Sequence, residues 1–126
     1  MHDKPPRAIS TQQQIARRAR VEAIARELGF VGAVEYRHVS TASGGAQYGM
    51  ASTEVEDLLV VYPIAFERDS DPDDFSLEAI IAHERGHQLV CRHKRLRRNM
   101  PDPMSEATEE VLASLVGAVI CHNYER

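Results

Sequence analysis

Apolar residues recur at near-helical spacing early in the chain: Ile15, Ala19, Val21, Ile24, Ala25 and Leu28 fall on one side of a helix. Ser10 stands where an N-cap belongs, Gln13 completes a capping box, and Gly29 is placed to end the helix. The pattern then shortens. Val31 to Val39, Ala46 to Ser52 and Leu58 to Phe66 read as three strands, separated by a Ser40–Gly45 turn and a polar connection from Thr53 to Asp57. Helical spacing returns from Phe75, with an apolar stripe at Leu77, Ile80, Ile81 and Ala82 that continues through Leu89 and Val90. Asp73 or Asp74 can cap its start. Two prolines in Met100-Pro101-Asp102-Pro103-Met104 then break the chain, and Ser105 is positioned to cap a last helix from Glu106 to Asn123. The expected class is α+β: an N-terminal helix, a small, mostly antiparallel sheet and two further helices.

The third predicted strand contains Pro63, which lacks the N–H that a central strand needs. It therefore puts this strand at a sheet edge or its end near a bulge; at an edge, Pro63 protects against aggregation or the edge accepts an extended peptide as an added strand.

Composition narrows the picture. The 126 residues are expected to form a single domain over 10–126, preceded by a flexible segment over 1–9. No run approaches the ~20 apolar residues of a membrane span, and Met1 to Arg7 lacks the apolar centre of a signal peptide. Two cysteines, Cys91 and Cys121, make no disulfide framework, so a cytoplasmic location is expected. A net charge of −4 argues against a general nucleic-acid binder.

The candidate chemistry lies in His83-Glu84-Arg85-Gly86-His87, an HExxH pattern placed in mid-helix. Residues four apart share a helix face, so His83 and His87 can offer two imidazole nitrogens to one Zn²⁺. Glu84 is about 100° round the helix, where it can take a proton from a water activated by the metal. A catalytic zinc needs a third protein ligand and an open position. Glu106, Glu109 and Glu110 all sit in the first turns of the last helix, where acidic residues also complement the macrodipole. Glu110 ranks first, because it shares a face with Ala113, Ser114 and Gly117, small residues that would allow close approach at Gly86. Glu109 ranks second and Glu106 third.

The segment from Ser76 to His87, followed by Glu110-Val111-Leu112-Ala113, resembles the gluzincin metallopeptidases, in particular the small single-domain forms and the ImmA/IrrE family. The resemblance covers roughly Leu58 to Val119. It implies a zincin-like fold in which His83, His87 and Glu110 hold zinc and Glu84 is the general base. Members usually carry an aliphatic residue where Arg85 stands. Those of the ImmA/IrrE family often have an asparagine at the position of Ser114 and an aromatic at that of Val116.

Other groups have ordinary readings beside functional ones. Cys91 follows His87 by four and is read as a small buried hydrophobe before a metal neighbour. Tyr48, His93 and His122 are candidate oxyanion stabilisers. Asp69 to Asp74 alternates carboxylates but lacks the glycine and distal glutamate of a calcium loop. Arg92 to Arg98 suits the C-terminal dipole of its helix, and its density would also attract an acidic partner or phosphate. His2 or Asp3 could reach the metal as a latency segment. The expected function is hydrolysis of peptide bonds in a peptide or protein substrate. The alternative is a catalytically weak or inactive zincin-fold regulatory protein that binds a protein partner.

Overall fold

The computed structural model describes residues 6–40, 44–50, 57–96 and 106–125. Helix α1 spans Thr11–Glu27 and strands β1, β2 and β3 span Ala33–Tyr36, Ala46–Met50 and Asp57–Val61. Helices α2, α3 and α4 span Pro63–Asp69, Leu77–Leu96 and Glu106–Glu125. No helix among these residues is long and apolar enough to cross a membrane.

The ends of α1 follow its sequence. Ser10 accepts from the Gln13 N–H and the Gln13 side chain accepts from the Ser10 N–H, at 3.1 and 2.8 Å. At the other end Gly29 takes φ +87°, while the Phe30 and Gly29 N–H groups return to the Ala25 and Arg26 carbonyls. That is a Schellman closure. The apolar face is shorter than its periodicity: Val21, Ile24, Ala25 and Leu28 are buried, but Ile15 is 61% exposed. A 17-residue helix is about 25 Å long, whereas strands of four or five residues span about 13–17 Å, so the first turns overhang the sheet.

The sheet has the order β1-β3-β2, with β1 parallel and β2 antiparallel to β3. It is mixed, not mostly antiparallel, and β3 is its centre, not its edge. The expected strand from Leu58 to Phe66 stops at Val61 because Pro63 opens α2. A proline pushes its predecessor into extended backbone, here Tyr62 at φ −117°, ψ 164°, and its own fixed φ suits the first helical position. The first strand also begins late. Gly32 crosses Asp57 so closely that a Cβ there would strike the Asp57 carbonyl, and its φ is +125°. Asp57, expected in a polar connection, is the first residue of β3 and is buried.

One face of the sheet, with Val34, Ala46, Leu59 and Val61, packs against the C-terminal half of α1 and against Leu77, Ile80, Ile81 and Ala82 of α3. Neither Asp73 nor Asp74 caps α3. Ser76 Oγ accepts from the Ala79 N–H at 3.1 Å, and Asp69 Oδ1 accepts from the Leu77 N–H at 2.8 Å. Asp74 is instead bound by Arg68 and by the Phe75 N–H, which together hold its carboxyl below the usual range. The proline-rich break, Ser105 and the His2 and Asp3 positions lie outside the described residues.

Candidate metal centre

Two glycines bring α3 and α4 together. A Cβ on Gly86 would overlap the Ala113 carbonyl, and one on Gly117 would lie 2.8 Å from the Ala82 carbonyl oxygen. The small residues expected to allow close approach therefore face one another, and Glu110 lies one turn before Ala113 at this contact.

His83 and His87 project from adjacent turns of α3 with their Nε2 atoms 3.1 Å apart. The Glu110 carboxylate bridges them, Oε1 at 2.8 Å from His83 Nε2 and Oε2 at 3.1 Å from His87 Nε2. Ligands at 2.0–2.1 Å from a tetrahedral Zn²⁺ stand about 3.3 Å apart, so this spacing needs only slight expansion to admit the ion. Nitrogen and carboxylate donors suit the same metal. Burial lowers the His87 pKa against the opposing pull of Glu110, which favours the neutral, ligating imidazole. Glu109 contributes only a more distant charge and is not in the cluster. The side chain of Glu106 lies outside the described residues.

Glu84 is half-buried beside the cluster. Burial, and after it the negative charge of Glu110, pushes its carboxyl up to about 7, while the backbone N–H of Tyr48 bonds it and pulls the other way. That N–H belongs to the free edge of the sheet. The Tyr62 N–H bonds the Gly45 carbonyl, and antiparallel pairs alternate along the β2–β3 register. Gln47 and Gly49 therefore turn toward β3, and Ala46 and Tyr48 turn outward.

Two clefts meet at His83, Glu84 and Glu110. One, of about 540 Å³, runs between Phe75 and Ile80 on one side and Ala118 and Cys121 on the other. The second, of about 650 Å³, follows β2 past Gln47 and Gly49 toward Tyr62 and Arg37. A reacting group bound at the cluster is thus reachable from two directions.

The remaining candidates are elsewhere. The Tyr48 phenol is buried, with Cys91 and Asp57 beside it, and burial raises its pKa. What Tyr48 brings to the site is its N–H. Cys91 is half-buried outside the cluster, and His93 and His122 are exposed. Arg92 approaches Asp57 at 3.6 Å, while Arg97 and Arg98 lie outside the described residues.

Two contributions escape sequence reading. Ser114 Oγ lies 3.4 Å from His83 Nδ1, close enough to orient the ring; its position one turn after Glu110 is the available signal. Gln88, next to the motif, is fully buried. Its Nε2 donates to Asp57 Oδ2 at 2.7 Å and the Val31 carbonyl at 2.6 Å, and its Oε1 accepts from Arg85 at 2.7 Å and the Val31 N–H at 3.2 Å. Arg85 is thereby tied into a network that anchors α3 to the sheet. No family model matches the chain, and no curated protein or solved structure resembles it significantly.

Proposed function

We propose that this chain is a zinc-dependent metallopeptidase of the gluzincin type. The observation that carries the reading is the convergence of His83 Nε2, His87 Nε2 and the Glu110 carboxylate at separations of 2.8–3.1 Å, with Glu84 beside them. A Zn²⁺ held by these three side chains supplies Lewis-acid chemistry, lowering the pKa of water to about 7 and polarising a scissile carbonyl.

The chain's own groups do the rest. His83 and His87 donate neutral nitrogen lone pairs, and Glu110 adds the charge that a dication requires. Glu84 takes the proton of the attacking water on its carboxylate and later delivers it to the leaving amine. The outward backbone of Ala46 offers an extended peptide a donor and an acceptor along the edge of β2. That would orient the scissile bond before any side chain is read. The adjoining clefts accept the flanking side chains.

The test is hydrolysis of unfolded casein by zinc-loaded protein, beside Glu84→Gln. Cleavage by the wild type, with zinc retained and cleavage lost in the variant, supports the mechanism. Full activity in Glu84→Gln would refute it. Zinc bound by both without any cleavage would favour a partner-binding regulator.

A further inference from the structure

The two clefts that meet at the cluster differ in chemistry. The one that follows β2 carries polar groups: Arg37, Gln47 and Tyr62, whose hydroxyl donates to Gln47 Oε1 at 2.9 Å. The one between α3 and α4 is apolar beyond His83, with Phe75, Ala79 and Ile80 on one wall and Ala118 and Cys121 on the other. Phe75 is 62% exposed on that wall. It is also held in place, because the Arg68 guanidinium lies over its ring at 5.2 Å. A large ring kept in water beside an apolar cleft offers a stacking surface to whatever enters.

Charge narrows the occupant. Among the described residues, the charged side chains lining this cleft are Arg68 and the two carboxylates of the cluster, Glu84 and Glu110. Arg68 is already committed. Its Nε donates to Asp74 Oδ1 at 3.0 Å, its Nη2 lies 2.9 Å from the same oxygen, and its Nη1 donates to the Gly44 carbonyl at 2.6 Å. An acidic side chain entering the cleft would meet no open cation and would face Glu84 and Glu110. A basic one would be desolvated among Phe75, Ile80 and Cys121, since both carboxylates are engaged by the metal and the reaction. An apolar side chain loses nothing on entry, and at about 540 Å³ the cleft has room for the largest of them.

The geometry points to the α3–α4 cleft as the pocket for a bulky apolar side chain, aromatic by preference, on the residue beside the scissile bond. Ala118 sets its width. This assignment rests on the peptidase reading for the scissile bond, and on the cleft alone for the side chain. Ala79 and Ala118 keep the facing walls apart. Ala118 is exposed whereas Ala79 is half-buried, so a larger residue at Ala118 fills the cleft without crowding the core.

The test reads the cleft first without turnover. The full chain, isotope-labelled in its alanine methyl groups and kept metal-free by a chelator, is titrated by NMR with N-acetylphenylalaninamide and with N-acetylalaninamide. The phenylalanine compound should shift the Ala79 and Ala118 methyl signals saturably and bind at least about 10-fold more tightly than the alanine compound. Ala118→Leu should weaken its binding at least about 10-fold, read at Ala79, with unchanged circular dichroism. Ala118→Ser, which leaves the space open, should retain it. Equal binding of the two compounds, no saturable shift, or indifference to Ala118→Leu overturns the proposal.

Mass spectrometry of casein fragments made by zinc-loaded protein should then find aromatic or large aliphatic residues at one position beside the cut, replaced by small ones in Ala118→Leu. Cleavage without that preference overturns the pocket and leaves the peptidase standing. Selective binding of the phenylalanine compound without any cleavage keeps the apolar pocket and counts against the peptidase.

Discussion

Helices α3 and α4 are each twenty residues long and supply the candidate metal centre together, but they are held in different ways. α3 buries Leu77, Ile80, Ile81 and Ala82 against the sheet and α1, and Gln88 ties its middle to Val31, two residues before β1, and to Asp57 of β3 through three hydrogen bonds. α4 rests chiefly on α3, across the glycine contact, and leaves its other side open among the described residues. The two histidines and Glu84 thus stand on a fixed platform, whereas Glu110 arrives on an element with a single main support. A metal bound at His83, His87 and Glu110 would join the two helices. The arrangement is most sensitive where they touch.

Gly86→Ala should therefore have the largest effect. In an open helix this change stabilises by about 1 kcal/mol. Here the added methyl group meets the Ala113 carbonyl, backbone that cannot swing aside. A net loss of roughly 3 kcal/mol is expected in urea titrations, accompanied by loss of zinc affinity as Glu110 is carried away. Unchanged or increased stability would mean that α4 does not sit against Gly86.

Next is the choice of carboxylate on α4. Glu110→Ala should weaken zinc binding by about 100-fold or more in competition with a chelator, since the loss of supporting groups alone costs 10–100-fold. Glu109→Ala should change it by less than about 3-fold, because Glu109 acts on His87 only at a distance. The reverse order would rotate α4 by one residue and dissolve the geometry in which Ala113 and Gly117 face α3.

This part of the molecule was legible because it depends on local spacing. Two histidines four apart share a face wherever the helix lies, and small residues at Gly86, Ala113 and Gly117 mark a close crossing. The ends of α1 are equally local, carried by Ser10, Gln13 and Gly29. The strand ending at Val61 is shorter than the expected Leu58 to Phe66 because a short apolar run looks alike in a strand and in the start of a buried helix. Pro63 fits both an edge strand and a first helical turn. Only the pairing of β3 on both sides distinguishes them. Gln88 and Asp57 stand 31 residues apart, and neither has a local pattern that foretells the other. Burial of a polar side chain with its partners becomes visible only when distant segments meet.

The smallest effect separates the two helices' influence on one carboxyl group. In the metal-free protein Glu84 has a pKa of about 7, raised first by burial on α3 and then by Glu110 on α4. A raised folded-state pKa means that the folded protein binds the proton more tightly than the unfolded chain. The resulting stability is fully present below about pH 4.5 and is lost as pH rises through about 7. Glu84→Gln cannot ionise, so in the presence of a chelator it should match the wild type near pH 4.5 and exceed it at pH 8. The full shift corresponds to about 3 kcal/mol, and solvent screening of this half-buried group brings the expectation nearer 2 kcal/mol. Repeating the comparison in a Glu110→Gln background removes the charge from α4 and leaves the burial on α3. The pH-dependent gain should shrink but persist, because burial is the larger cause. Its disappearance would make Glu110 the main source of the shift, and its absence from the outset would place Glu84 in solvent, away from the cluster.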